Sequence, residues 1–529
     1  MKRFSLVILL MLSSLPALAQ SPKETLATLI ETGNRKAALE RIRTGAEVNE
    51  AQPDGTRPIH WAIQRVDYEL LAALIAKKAT LNVRNEFGST PIAQAAELGD
   101  SRMVKMLLDA GAEPEGANPD GQTALMLAIK TGETAVVELL IKAGANVNTI
   151  ERFHKQTPLM WAASAPRNAG TIVKLLLAKG ADVKPRAQFT DWPSQITSEP
   201  RAQYRPVGGL TALLYASRDG CYDCADAMID AGADVNIPTP DGVTALMLAL
   251  DNDHNDVARL LLDRGANPRV WDWWGRTALY IVIDRKETLA ANRLKGGAQN
   301  GGSAPVPALS SRPSVSSMDI INALLAADVE INAPLNMHRP SRSGNSGRFI
   351  DPMLDIGGTP LLRAVIGDRA SVPDPKATGG DAEVVRALLA KGANPNINAM
   401  GLTPFLVAAG VGAGHGGGGT GLAMESSVGG PVNMEMMELL LQRGANVNDQ
   451  VTGTLTYTMR VSRAPSANEG RTALHIAAQA GKTDLVRYLL SKGANPEVKD
   501  AGGLKAIDLV GSGANPEIRS ILQSAASGK

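Results

Sequence analysis

A short phrase recurs along this chain at a near-constant interval, and that interval limits the fold more than any other feature. The phrase is Gly-x-Thr-(Pro/Ala)-Leu, read as GSTPIAQAA from Gly88, GQTALMLAI from Gly121, GLTALLYAS from Gly209, GVTALMLAL from Gly242, GRTALYIVI from Gly275, GLTPFLVAA from Gly401 and GRTALHIAA from Gly470. Weaker copies start at Gly55, Lys155, Gly357 and Gly503. The steps from Arg57 to Thr90 to Thr123, from Thr211 to Thr244 to Thr277, and from Thr472 to Lys505 are each 33 residues. A second apolar segment follows each copy, such as VVELLIKAGANVN ending at Asn148. Threonine before an apolar run predicts a helix N-cap, and proline beside it is tolerated because the first-turn N–H groups have no intrahelical acceptor. The glycine of GA-x-V-N predicts a left-handed stop to a second helix. One such helix pair cannot bury its apolar stripe alone, so neighbouring pairs must stack.

The 33-residue period with T-P-L-H-x-A-A and G-A-x-V-N resembles the ankyrin-repeat family over residues 23–526. The resemblance implies an all-α solenoid of about 12 helix pairs, joined by β-hairpin fingers and carrying long inserted loops. It further implies a non-enzymatic scaffold that grips a protein partner on a concave face of fingers and first helices. An enzyme accessory, or an exported effector acting on a host protein, is the alternative. His60 and His475 match the histidine of the family motif, whose role is structural.

Composition narrows the function. Formal net charge is +1, so no global field recruits nucleic acid or an anionic membrane. Aromatics are 4% of the chain and glycines number 52, a balance suited to Ala/Leu helices with a glycine at each turn. Lys2 and Arg3, the apolar run from Leu6 to Leu15 and the small-residue site Ala17-Leu18-Ala19 together read as a secretory signal cleaved after Ala19. The expected address is the periplasm or the exterior of a bacterial cell, and the expected state is a monomer with no membrane span.

The spacing divides the remainder into a capping helix pair (20–53), regular repeats (54–184), a finger insert (185–208), repeats (209–285) and a flexible insert between two helices (286–317). A lone second helix (318–333) follows, then a finger insert (334–356), repeats with inter-helix inserts (357–448), a finger insert (449–469), and repeats with a C-terminal cap (470–529). The inter-helix inserts are rich in Gly, Ser and Pro, which predicts loop. GAGHGGGG from Gly412 lacks both the preceding strand and the following Lys-Ser/Thr of a phosphate loop.

The resemblance implies recognition positions at Trp273, Trp274 and Arg276 on one finger, with Trp271 beside them, and the first finger insert adds Phe189, Trp192, Arg201, Tyr204 and Arg205, beside Arg186; the alternatives are tryptophans buried under the finger inserts and inserts that are plain surface loops. Arginine and aromatics dominate binding hot spots. Alanine at Trp273 and Trp274 is expected to spare folding. Trp61 and Trp161 read as core. Cys221 and Cys224 are the only cysteines. A haem site needs His where Ala225 stands, and a redox pair lacks its usual βαβ surroundings, whereas a local disulfide or two packed thiols suits an oxidising compartment. No catalytic constellation, metal-ligand spacing or cofactor motif emerges.

Overall fold

The computed structural model describes residues 24–190, 207–294, 314–335, 357–367, 380–399, 401–411, 432–452, 468–511 and 516–527. Among them, helices follow one another in pairs: α1 (Leu26–Glu31) and α2 (Arg35–Arg43), α3 (Pro58–Gln64) and α4 (Tyr68–Ala76), α5 (Pro91–Glu97) and α6 (Ser101–Asp109), α7 (Ala124–Thr131) and α8 (Thr134–Lys142), α9 (Pro158–Ala163) and α10 (Ala169–Ala178). The series continues with α11 (Ala212–Asp219) and α12 (Tyr222–Asp230), α13 (Ala245–Asp251) and α14 (Asn255–Asp263), α15 (Ala278–Leu294) and α16 (Ser317–Ala326), α17 (Pro360–Ile366) and α18 (Ala382–Ala390). It ends with α19 (Pro404–Ala408) and α20 (Met434–Leu441), α21 (Ala473–Gln479) and α22 (Thr483–Ser491), and a 3-10 turn (Ala506–Leu509) before α23 (Pro516–Ala526). The all-α helix-pair architecture is therefore the one that the 33-residue period requires.

Two compact units divide the chain. The first comprises Met1–Phe153 and Ala165–Gly180, and the second His154–Ser164 and Ala181–Lys529. In the first, α1, α3, α5 and α7 pack in series; in the second, α9, α11, α13, α15, α17 and α19 do so. Each row buries its Ala, Leu, Ile, Val and Met side chains, with Leu125, Ala128, Leu213, Met247, Leu279 and Leu406 all within 2% of full burial.

The same local chemistry starts each first helix. Thr90, Thr123, Thr157, Thr211, Thr244, Thr277, Thr359, Thr403 and Thr472 accept a hydrogen bond at Oγ1 from the backbone N–H three residues on. The predicted stops also form: Gly144, Gly232, Gly265, Gly392, Gly444 and Gly493 all have φ between 86° and 94°.

Neighbouring repeats are stitched by asparagine side chains. Asn82 Oδ1 accepts from Glu113 N–H at 2.9 Å, and Asn236 Oδ1 from Asn267 N–H at 2.7 Å. The pattern persists across the inserts: Asn332 takes Asn394 N–H at 2.9 Å, Asn396 takes Asn446 N–H at 3.0 Å, and Asn448 takes Asn495 N–H at 2.7 Å. Finger turns form a second ladder, Glu86 N–H to Asp54 O, Arg152 N–H to Asp120 O and Trp273 N–H to Asp241 O, at 2.8 to 2.9 Å.

Three boundaries differ from the sequence reading. Helix α15 continues to Leu294, through the first nine residues assigned to a flexible insert. Its middle carries Asp284, Arg285 and Lys286, which pair with Arg363, Asp253 and Asp381 respectively and so tie it to three other segments. The following helix begins at Ser317 and stops at Ala326, because Asp328 takes a left-handed φ of 53°. The fingers are mostly turns: the paired strands among the described residues are β1 (Phe189–Thr190) and β2 (Val207–Gly208), antiparallel at the base of the first finger insert.

His475 is structural, as its motif position implies. Its Nδ1 accepts from Thr472 N–H at 3.2 Å, while Nε2 meets the Leu504 carbonyl at 3.1 Å, so the neutral Nε2–H tautomer fits. Burial pushes this imidazole below its ordinary value of 6.5. Below pH 6.5 the unfolded chain takes up a proton that the native one refuses, so the contribution is complete above that pH and is lost as pH falls towards the native value. Urea midpoints at pH 7.5 and 5.5 should therefore differ less in His475→Gln than in the parent chain; an unchanged difference would contradict the assignment.

Candidate functional site

The finger before α15 is built around a buried carboxylate. Asp272 is 2% exposed, and its Oδ1 accepts from Trp274 N–H at 3.0 Å and Arg276 N–H at 2.9 Å, which fixes the turn. Arg276 returns through Nε to Asp272 Oδ2 at 2.7 Å and reaches Asp251 Oδ2 at 3.0 Å, across to the end of α13. Its guanidinium also lies over the Trp274 ring, 5.3 Å from the centroid. Burial pushes the Asp272 carboxyl above its usual range, against the pull of Arg276. Burial works against the Arg276 cation as well, but Asp251 and Asp272 more than offset it and hold it charged. An isolated antiparallel bridge between Trp271 and Thr277 closes this turn.

This geometry separates residues that the sequence grouped. Trp274 is 5% exposed and Arg276 7%, so both belong to the interior of the chain and offer no surface to a partner. Their removal would uncover Asp272, and the expectation that Trp274 can be lost without cost to folding fails for that reason. Trp273 is half-buried with its Nε1 enclosed. Trp271 points outward at 65% exposure. Phe189 is 46% exposed on β1, opposite Gly208 in the hairpin register. Arg186 is exposed and donates to the Pro238 carbonyl at 2.8 Å, so it braces this finger against the next. Trp192, Arg201, Tyr204 and Arg205 lie outside the described residues.

Trp61 and Trp161 are half-buried rather than fully interior; Trp61 donates from Nε1 to Gln52 Oε1 at 2.7 Å. Phe87 and Phe153, which the sequence reading passed over, are 67% and 65% exposed on finger turns of the first unit. Their signal was positional. Phe87 precedes Gly88 where Asp54 and Asp120 precede the glycines of sibling turns. Cys221 and Cys224 are joined as a disulfide with Cα atoms 5.2 Å apart. Among the described residues, no group of His, Cys, Asp or Glu is arranged to hold a metal ion, and no helix is long and apolar enough to cross a membrane.

A family model described as "Ankyrin repeats (3 copies)" matches residues 26–118, 95–187, 196–272 and 213–304, and one described as "Ankyrin repeat" matches 469–501. Between these matches, α17 and α19 carry the same threonine caps. Among solved structures, the chain is similar to the human ASB11 ankyrin repeat domain, with 24% identity, a TM-score of 0.37, and coverage of 47% of this chain and 100% of that one. No curated protein matches the chain.

The two arms of the finger should respond oppositely to truncation. Arg276→Ala leaves a buried carboxylate unpaired and should cost about 3–5 kcal/mol in urea unfolding, whereas Trp271→Ala should stay within about 0.5 kcal/mol of the parent. Equal losses would contradict this division.

Proposed function

Because this chain belongs to the ankyrin-repeat family, whose repeats serve protein–protein interaction, we propose that it is a non-enzymatic scaffold gripping a protein partner through its finger turns, with Trp271 as the principal anchor. One observation carries the reading: an indole 65% exposed stands on a turn that a buried Asp272–Arg276 pair holds rigid. An exposed tryptophan offers a large apolar surface with a polar edge and few rotamers to lose. A turn already fixed in the free protein lowers the ordering cost that association otherwise imposes. Phe189 adds a second exposed ring at the base of the first finger insert. The leader at 1–19, which precedes the described residues, supports export to the periplasm or beyond, where the scaffold meets its partner as a monomer.

The test is photo-crosslinking in intact cells, with benzoylphenylalanine in place of Trp271 or, as control, of Arg259 on the exposed side of α14. The reading predicts a discrete protein adduct from position 271 alone, in the exported fraction, on a chain that begins at Gln20. Identical adducts from both positions, or none at 271, would remove Trp271 as the anchor. Adducts confined to an uncleaved cytoplasmic chain would remove the address.

A further inference from the structure

The helix that carries the disulfide has sibling helices that form without one. Cys221 is the N-cap of α12 and Cys224 its third residue, so the bond spans a single helical turn. The backbone already closes that turn, with Ala225 N–H donating to the Cys221 carbonyl at 3.0 Å. Sibling helices hold Met103, Val136, Val257 and Val384 at the position of Cys224, and each is fully buried there. A cross-link stabilises mainly by closing a long loop in the unfolded chain, and this one closes a ring of four residues.

What the pair does have is asymmetry. Cys224 is fully buried, while Cys221 is half-buried at the start of a nine-residue helix. The unpaired N–H groups and dipole of a helix N-terminus favour a thiolate at that point. The His254 imidazole packs against Gly220, the residue before Cys221, so closely that a Cβ on Gly220 would lie 2.4 Å from its Nδ1. Cys221 is thus the more accessible member of the pair and Cys224 the shielded one.

We infer that Cys221–Cys224 is an exchange-active disulfide that oxidises a dithiol on a protein or peptide. A substrate thiol gives its proton to solvent and its thiolate attacks Cys221 Sγ. The Sγ–Sγ bond breaks, and Cys224 leaves with the electron pair and takes up a proton. The second substrate thiol, likewise deprotonated, attacks its own sulfur in the mixed disulfide and releases Cys221, which is reprotonated. Two electrons and two protons pass from the dithiol, which becomes a disulfide, to the cysteine pair, which becomes two thiols. This site goes beyond the scaffold reading and stands whether or not Trp271 captures a partner.

The full chain, equilibrated in graded mixtures of reduced and oxidised dithiothreitol and then alkylated and weighed, should pass reversibly between disulfide and dithiol with its thermal unfolding midpoint unchanged. It should also convert a synthetic two-cysteine peptide to its cyclic disulfide, with one peptide oxidised for each pair reduced. The asymmetry is read with oxidised glutathione on single-cysteine chains. Cys224→Val, which installs the sibling residue, should form the adduct at Cys221 about tenfold or more faster than Cys221→Ser forms it at Cys224. A pair reduced only on unfolding, a midpoint that drops on reduction, or equal adduct rates in the two variants would each overturn the inference and return the bond to a structural role.

Discussion

The side-chain oxygen, most often an asparagine's, that follows a second helix and accepts from the next repeat's N–H is the contact on which the rest of the array depends. A helix pair of 33 residues buries only part of its apolar surface, so its neighbours must arrive at a fixed offset. Hydrophobic packing is non-directional and cannot set that offset alone. An amide that accepts from the next repeat's N–H can. The link from Asn332 to Asn394 spans 62 residues and that from Asn236 to Asn267 spans 31, yet both make the same bond. Repeats that flank inserted residues therefore meet in the same register as those that do not.

That frame explains how an exposed side chain can be held in place without a rigid neighbour of its own. In the 271–277 finger, the Asp241 carbonyl fixes Trp273 N–H from one side, and Asp272 with Arg276 fixes the turn from within. Desolvating such a pair is expensive, and its attraction repays the cost only when the remaining hydrogen bonds are satisfied. Here the carboxylate takes two backbone N–H groups besides the guanidinium. The result is a turn whose conformation is set before any partner arrives, with Trp271 at its outer edge. The same separation of holding and presenting residues recurs at the cysteine pair, where Cys224 sits in the core and Cys221 at the rim.

Much of the fold was legible because caps and stops are local. Thr90 or Gly144 does its work within a few residues, so a single sequence displays it. The course of α15 past Ile283 was not legible, because Asp284 and Lys286 are stabilised by Arg363 and Asp381, 79 and 95 residues away. Read alone, these residues lead into a Gly-, Ser- and Pro-rich stretch that predicts loop. The site failed for a related reason. Tryptophan and arginine beside a turn glycine suit a binding edge, but Arg276 had two carboxylates to reach, one of them Asp272 four residues earlier. That spacing was the available clue. For Phe87 the clue was an aromatic in a turn position that sibling repeats give to aspartate.

Amide hydrogen exchange on the full chain tests the central claim, that the asparagine links keep their register past the inserted segments, most directly. The N–H groups of Asn394, Asn446 and Asn495, which meet the ladder just past inserted segments, should be protected to the same degree as those of Glu113 and Asn267 in uninterrupted repeats. Immediate exchange at the first three, with protection kept at the last two, would show that the inserts break the register.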